Sequence, residues 1–252
     1  MCYDDQAQPP IPPGGGGAIR SEELELTAAD GNRFMAYVSL PEQAGKARMI
    51  VLPDIRGLHD FYKQLADRFA EIGIPAIAID YFGRTAGISS RAEGFDFWPH
   101  VQQMTRPGIL ADIKAAREAL DQHAGDGSVF MVGFCMGGML SYISGMQDDL
   151  NLSGLIAFYA GLSRAFGGGQ SLLESGNLVR TPSIGLFGGA DQGIPVEQVE
   201  QFRGLLAQSG GEHRIKIYDG APHSFFDRRY EEFAEASADA WNELLGFIRE
   251  RA

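Results

Sequence analysis

The 252-residue sequence lacks any apolar run long enough to cross a membrane. A bilayer-spanning helix needs about 20 consecutive, mostly apolar residues, so we expect no membrane insertion. Cysteine is scarce, since Cys2 and Cys135 are the only two. Two thiols do not form a disulfide framework, and this usage is typical of a reducing compartment. The N-terminus also lacks the basic start and apolar core of a signal peptide, so the cytoplasm is the expected location.

Basic residues are few as well, because 21 Lys and Arg face 33 Asp and Glu, for a formal net charge of −12. A field of this sign repels phosphate backbones, so we expect no nucleic-acid partner. No His and Asp cluster shows the spacing of metal ligands. The glycine runs at 14–17 and 167–169 lack the lysine or helix pattern of a phosphate-binding loop. We therefore predict no metal and no other cofactor.

The composition is otherwise that of a globular protein, with 44% hydrophobic residues. Residues 1–20 are rich in proline and glycine, which predicts a flexible arm. No linker divides residues 21–252, which predicts a single domain. The predicted strands are 22–27, 34–40, 49–52, 74–79, 129–132, 155–159, 184–187 and 214–218. The predicted helices are 59–72, 107–120, a segment from 137, 195–208 and 230–249, with residues 81–106 irregular and aromatic.

Buried strands that alternate with helices predict an α/β fold with a mostly parallel central sheet and helices on both faces. The first two strands flank the turn Asp30-Gly31-Asn32 and predict an N-terminal antiparallel hairpin. In parallel sheets of this kind, ligands bind beyond the carboxyl ends of the strands. We therefore expect the chemistry in the loops that follow the strands.

The segment Gly133-Phe134-Cys135-Met136-Gly137-Gly138 stands where a predicted strand meets a predicted helix. It has the form of the nucleophile elbow G-x-S-x-G of the α/β-hydrolase fold, with cysteine in the serine position. Small residues on both sides let strand and helix approach each other in a tight turn. The adjacent helix N-terminus favours a thiolate. Taken alone, the motif is equally consistent with a buried structural cysteine in a glycine-rich turn and with a catalytic cysteine.

Two further residues complete a triad with Cys135 in the chain order of α/β-hydrolases, which is nucleophile, acid, histidine. Asp191 directly follows the strand 184–187, and His223 directly follows the strand 214–218. Considered separately, Asp191 is consistent with an aspartate in a turn and His223 with a histidine in a surface loop. The order and placement of all three residues together favour a catalytic role. In this chemistry His223 takes the thiol proton, Asp191 orients the imidazole, and Cys135 forms a thioester.

An acyl transfer of this kind needs an oxyanion hole. The elbow supplies one donor, the backbone N–H of Met136. The second is expected from the loop after the strand 49–52, where Pro53 has no N–H and Ile55 is the nearest suitable donor. The only rival base is His100, which lies in the aromatic segment.

These motifs resemble those of the dienelactone hydrolase family, the thiol branch of the α/β-hydrolase superfamily. The resemblance runs over nearly the whole of residues 22–250 and implies hydrolysis of a cyclic ester, a lactone, that bears a carboxylate, with no cofactor. The matching motifs are G-F-C-M-G-G at the elbow, the glycine-rich loop ending in Asp191, A-P-H-S-F around His223, P-D-I-R-G at 53–57, and R-x-x-x-F-x-x-W at Arg91, Phe95 and Trp98.

The resemblance also implies roles for residues around the substrate. Asp54 matches an acidic residue, Glu in the family member compared, that contacts the resting thiol and is displaced by substrate. Arg91 matches an arginine that holds the substrate carboxylate, and Phe95 stands where the family has a tyrosine. Trp98 is expected to face the pocket. The position of a second carboxylate-binding arginine is occupied by Asp227.

The leading prediction is a hydrolase of a small ester or lactone, of the carboxymethylenebutenolide type, that acts through a thioester. Two alternatives stay open: a broad carboxylesterase for neutral esters, and a thiol redox sensor or binding protein on the same fold. A serine esterase is not expected, because the sequence contains no G-x-S-x-G. The expected partner is a small-molecule substrate. A monomer is the default, and a dimer is left open.

Overall fold

The structure is a computed structural model that describes residues 7–89, 91 and 94–252. Cys2 and the first six residues of the predicted arm lie outside the described residues. Within the described part of the chain, eight strands form one sheet in the order β1-β2-β4-β3-β5-β6-β7-β8. The strands are β1 (Ile19–Thr27), β2 (Arg33–Pro41), β3 (Ala47–Leu52), β4 (Ala76–Ile79), β5 (Ser128–Phe134), β6 (Gly154–Phe158), β7 (Ser183–Gly188) and β8 (His213–Tyr218).

The sheet is antiparallel only at its N-terminal end. Strand β2 pairs antiparallel with both β1 and β4, and the pairs from β4 to β8 are parallel. This arrangement confirms the predicted α/β-hydrolase architecture. Every residue of β3, β4, β6 and β7 is buried, which is the pattern of parallel strands covered on both faces.

Helices connect the parallel strands. The helices are α1 (Asp60–Glu71), α2 (Gly83–Ala86), α3 (Trp98–Val101), α4 (Arg106–Ala124), α5 (Met136–Ser144), α6 (Leu172–Ser175), α7 (Val196–Gln208) and α8 (Ala234–Arg249), with 3₁₀ turns at Asp148–Leu150 and Gly176–Leu178. The segment 81–106 was predicted to be irregular, whereas it holds the two single-turn helices α2 and α3. None of the helices in the described ranges has both the length and the apolar character that a bilayer crossing requires.

Local sequence signals explain where the helices begin and end. The side chain of Thr105 accepts a hydrogen bond from the N–H of Gly108 at 3.3 Å and caps α4, and Pro107 occupies the first turn. Helix α1 ends before Gly73, whose φ of +84° lies in the left-handed region that favours glycine. These signals fix the ends of the connections between the strands.

The N-terminal segment contacts the domain over residues 9–17, although its composition predicted a flexible arm. Pro9 and Pro10 are buried, and the carbonyl of Pro10 accepts a hydrogen bond from the indole N–H of Trp241 at 3.1 Å. The N–H of Gly17 donates to the carbonyl of Glu71 at 3.1 Å. A buried indole N–H needs an acceptor, and the proline-rich segment supplies one.

We therefore expect Trp241→Phe to lower the free energy of unfolding by about 1–3 kcal/mol, because it removes this hydrogen bond and part of a buried ring. The ring of Trp241 packs 5.2 Å from Phe69 and 5.6 Å from Phe226 between centroids. The matched control is Trp98→Phe, since Trp98 is 48% exposed and should change stability by less than about 0.5 kcal/mol. Urea denaturation measures the stability of both variants. If Trp241→Phe and the wild type unfolded at the same urea concentration, the anchoring of the N-terminal segment by Trp241 would be contradicted.

Candidate active site

The register of the sheet brings the loops after β3, β5 and β6 together. Gly133 of β5 pairs with Leu52 of β3 on one side and with Ala157 of β6 on the other. Cys135 follows β5 and therefore lies between the loop that carries Ile55 and the residue after β6. Strands β7 and β8 come next in the sheet, and their carboxyl ends bring Asp191 and His223 to the same side.

The elbow holds Cys135 in a strained conformation, with φ +54° and ψ −108°. Left-handed φ values cost a non-glycine residue about 1–3 kcal/mol. The backbone N–H of Cys135 donates to the carbonyl of Phe158 at 3.0 Å, and its carbonyl accepts from the N–H of Met139 at 3.1 Å. The thiol is thus presented at the N-terminus of the nine-residue helix α5, where the helix dipole favours a negative charge.

The elbow also depends on two glycines. A Cβ at Gly133 would lie 2.0 Å from the carbonyl oxygen of Gly137, and a Cβ at Gly137 would lie 2.1 Å from the carbonyl oxygen of Leu52. Real Cβ atoms do not approach a backbone atom so closely, so only glycine fits at either position.

Asp191 holds the imidazole of His223. Its Oδ2 lies 2.6 Å from Nδ1 of His223, and its Oδ1 accepts from the N–H groups of Gly193 at 2.8 Å and Ile194 at 3.2 Å. One carboxylate oxygen therefore fixes the loop while the other faces the histidine. Asp191 is buried, which strengthens both interactions.

Cys135 and His223 open into one cavity of about 240 Å³. The backbone donors expected for an oxyanion hole, Ile55 and Met136, line the same cavity. The remaining lining residues are Val101, Met139, Gly161, Leu162, Ser163, Arg164, Phe166, Gly193 and Ile194. The structure thus brings the thiol, the histidine and both predicted oxyanion residues to a single, mostly apolar site.

A family model described as "Dienelactone hydrolase family" matches residues 34–252. The chain belongs to the dienelactone hydrolase family. It is 26% identical over 239 residues to the "Putative carboxymethylenebutenolidase" of Methylorubrum extorquens AM1, an alignment that covers 90% of this chain and 80% of that protein. The protein of the same description from Escherichia coli K12 is 26% identical over 234 residues, with 88% and 84% covered.

Among solved structures, the "Putative Dienelactone Hydrolase" of Klebsiella pneumoniae superposes with a TM-score of 0.80 at 23% identity and covers 92% of this chain and 99% of that one. At this identity the likeness concerns the fold alone. The family match confirms the identification drawn from the sequence motifs, and the chain is a hydrolase of this family.

The acidic residue that the family resemblance assigns to the thiol, Asp54, is almost fully buried. Its Oδ1 accepts from the backbone N–H of Arg56 at 2.9 Å, and its Oδ2 has no hydrogen-bond partner among the described residues. Asp54 and Cys135 both contribute to raising the pKa of the buried Tyr81 and Tyr159, after the larger effect of burial. Their charges therefore act on the same two hydroxyls, and contact between Asp54 and the thiol stays a prediction.

Arg91 is not among the described lining residues of the cavity beside Cys135. Its guanidinium is buried and forms an ion pair with Asp80, with Nη2 to Oδ2 at 2.8 Å and Nε 3.1 Å from both carboxylate oxygens. Nη2 also donates to the carbonyl of Gly87 at 2.8 Å. This placement argues against the predicted role of Arg91 as a carboxylate clamp, because releasing the guanidinium would leave a buried carboxylate unpaired.

Phe95 and Trp98 also lie outside the described lining of the cavity. Phe95 stacks on His100 with 5.2 Å between ring centroids, and the Arg91 guanidinium sits 4.8 Å from its ring. Trp98 is largely exposed and contacts Phe97. Phe95 therefore packs beside the Arg91 ion pair, and the segment 81–106 contributes Val101, not Phe95 or Trp98, to the described lining of the cavity. His100, the rival base, is held in the same aromatic group.

A buried pair beside His223, Tyr159 and Asp227, was not predicted from the sequence. The hydroxyl of Tyr159 donates to Oδ2 of Asp227 at 2.8 Å, and the Tyr159 ring lies 4.8 Å from the His223 ring. Tyr159 adopts a φ of +36° directly after β6, a strained conformation of the kind that clusters at functional sites. The sequence did hold one signal for Tyr159, namely its position at the carboxyl end of a central strand. Because the apolar run was predicted as a strand over 155–159, Tyr159 was assigned to that strand and not to the site.

Asp227 stands where the family resemblance placed an arginine, and it is fully enclosed. The pKa of Asp227 is raised to about 7, chiefly by burial and in part by the charge of Asp54, although hydrogen bonds from the Arg228 backbone and the Tyr159 hydroxyl lower it. Asp227, Arg228 and Arg229 all line a second cavity, whose described lining includes neither Cys135 nor His223. The two arginines that follow Asp227 therefore lie outside the lining of the cavity beside Cys135.

We expect the pH dependence of stability to change in Asp227→Asn. The folded-state pKa of about 7 exceeds the unfolded value of about 3.9, so the folded state binds the proton more tightly. The free energy of unfolding of the wild type therefore falls as the pH rises from about 4 to about 7. The stability of Asp227→Asn relative to the wild type should increase by on the order of 2 kcal/mol between pH 5 and pH 8.

Chemical denaturation of the wild type and Asp227→Asn at pH 5 and pH 8 measures this change in relative stability. Any effect of the amide that does not depend on pH is the same at both pH values and therefore cancels. Asp219→Asn is the control, because Asp219 is exposed. An equal pH dependence in the wild type and Asp227→Asn would contradict the burial of a titrating carboxyl group at this position.

The elbow generates a further prediction. Gly137→Ala should abolish activity and lower the melting temperature by several degrees, because its Cβ collides with the backbone of Leu52 and Pro53. Gly204→Ala in α7 is the control, since its Cβ meets no atom within 4 Å and should stabilise the helix by about 0.5–1 kcal/mol. Calorimetry gives the melting temperatures of both variants. A Gly137→Ala variant that keeps the wild-type melting temperature and activity would contradict the close approach of Gly137 to the backbone of Leu52 and Pro53.

Proposed function

We propose that this chain hydrolyses a small ester or lactone through Cys135, His223 and Asp191. The observation that carries the proposal is the 2.6 Å contact of Asp191 with Nδ1 of His223, beside a cavity that His223 shares with Cys135. With Nδ1 held by the carboxylate, Nε2 is the nitrogen left to exchange a proton with the thiol. Asp191 then stabilises the imidazolium that forms.

The reaction proceeds in two acyl transfers. The thiolate of Cys135 attacks the carbonyl carbon, and the N–H groups of Ile55 and Met136 receive the charge on the carbonyl oxygen. The C–O bond of the ester breaks, and the leaving oxygen takes the proton from His223. His223 then removes a proton from a water molecule that attacks the thioester, which releases the carboxylic acid and returns the proton to the thiol.

The cavity favours a compact substrate. Its volume of about 240 Å³ lies below the usual range of about 300–1,000 Å³ for small-molecule sites. The relatives from Methylorubrum extorquens and Escherichia coli each carry the description "Putative carboxymethylenebutenolidase", which makes a carboxymethylene-substituted butenolide the first substrate to test. A second candidate is a neutral carboxylic ester, which the apolar side chains of Val101, Met139 and Leu162 would accommodate.

The test is turnover of p-nitrophenyl acetate and of carboxymethylenebutenolide by the wild type and by Cys135→Ala between pH 5 and pH 9. We expect Cys135→Ala to lose at least about 10³-fold in kcat/KM, because no other side chain of the site forms the acyl-enzyme. Cys2→Ala is the matched control and should retain activity. Mass spectrometry of the quenched wild type should show the acyl group on the peptide that contains Cys135.

Each outcome separates the candidates. Turnover of p-nitrophenyl acetate without turnover of the lactone would favour the neutral esterase. Equal rates for the wild type and Cys135→Ala would exclude thiol catalysis and bring the redox-sensor alternative forward. In that case reversible oxidation of Cys135 by peroxide becomes the property to measure.

A further inference from the structure

The cavity beside Cys135 contains one permanent charge among its described lining residues, the guanidinium of Arg164. Arg164 is exposed and lies on the loop between β6 and α6. Arg164 was not predicted as a site residue, because nothing in the local sequence Gly161-Leu162-Ser163-Arg164 marks a binding residue. Its place at the rim follows only from the way this loop folds over the carboxyl end of β6.

Arg164 makes no ion pair and no side-chain hydrogen bond with any residue in the described ranges. Other arginines near the site are committed to protein partners. The guanidinium of Arg91 pairs with Asp80, and Nη2 of Arg56 lies 3.2 Å from Nδ1 of His59. Arg164 is therefore the arginine at this cavity whose donors are available to a ligand.

The segment that carries Arg164 is anchored on both sides. Leu162 and Phe166 are buried and line the cavity, while residues 163–165 between them are exposed. The carbonyl of Leu162 accepts from the N–H of Leu173 at 3.1 Å, and the carbonyl of Phe166 accepts from Nε of Arg106 at 3.1 Å. This short rim fixes the base of the arginine side chain, which limits the entropy lost when the side chain binds a ligand.

We propose that Arg164 binds the carboxylate of an anionic ester or lactone at the rim of the catalytic cavity. A guanidinium matches a carboxylate with two parallel hydrogen bonds. The chain carries a net charge of −12, so an anionic substrate needs a local cation at the site. The position after His223 where the family resemblance placed an arginine holds the buried Asp227 instead. This assignment rests on the proposed function and names the substrate class within it.

The experiment compares carboxymethylenebutenolide with its primary carboxamide, which has the same ring and the same scissile bond but no charge. For the wild type we expect a preference for the acid. In Arg164→Gln the ratio of kcat/KM for the acid to that for the carboxamide should fall about tenfold, through a higher KM for the acid. Arg164→Lys should retain part of the preference, because it keeps the charge without the planar pair of donors.

Two further measurements separate this role from a structural one. Raising the ionic strength should raise the KM of the wild type for the acid and have less effect in Arg164→Gln, because salt screens an exposed charge. Arg180→Gln is the matched control, since Arg180 is also exposed but lies outside the described cavity lining. It should leave the ratio unchanged.

The outcomes distinguish the two proposals. If the wild type cleaves neither lactone nor p-nitrophenyl acetate, the proposed hydrolase function is wrong and the role of Arg164 falls with it. If the wild type cleaves these substrates and Arg164→Gln keeps the wild-type ratio of acid to carboxamide, the hydrolase function stands and the role of Arg164 is overturned.

Discussion

The close approach of α5 to the ends of β5 and β3 is the constraint on which the rest of the site depends. A Cβ at Gly133 of β5 would collide with the carbonyl of Gly137, and a Cβ at Gly137 would collide with the carbonyls of Leu52 and Pro53. At this junction Cys135 adopts a left-handed conformation and lines the cavity. The strain at Cys135 is tolerated because β5 is paired with a strand on each side and α5 is buried along its length. These two elements hold the turn in its strained conformation.

The second feature of the site is the number of carboxyl groups around a single histidine. Asp191 contacts His223 directly, while Asp227 is linked to it through the ring of Tyr159. The charge of His223 lowers the pKa of Asp227, so the two groups are coupled, and the coupling is reciprocal. An ionised Asp227 would favour the imidazolium, which is the form of His223 that the proposed proton transfer from the thiol produces.

Much of the architecture could be predicted from the sequence because it depends on local patterns. The short buried runs became β3 to β8, with boundaries within about three residues of those expected. The G-x-C-x-G turn, the glycine-rich loop before Asp191 and the loop around His223 each follow a strand. In a parallel sheet, that placement is sufficient to bring them to one edge. The short helices α2 and α3 were missed, since a single helical turn leaves too few residues for a periodic pattern.

The substrate side of the site was beyond the reach of such patterns. The family resemblance implied that Arg91 binds the substrate carboxylate. In the fold, the guanidinium of Arg91 instead forms a buried ion pair with the carboxylate of Asp80. Likewise Pro10 and Trp241 are 231 residues apart in the chain and form a hydrogen bond only after folding. The sequence by itself determined the strands, the elbow and the placement of Asp191 and His223 after strands, since these follow from periodicity and turn geometry. Only the tertiary structure decided which charged side chains are buried in pairs and that Arg164 remains at the cavity, because long-range packing sets the partners of a charge.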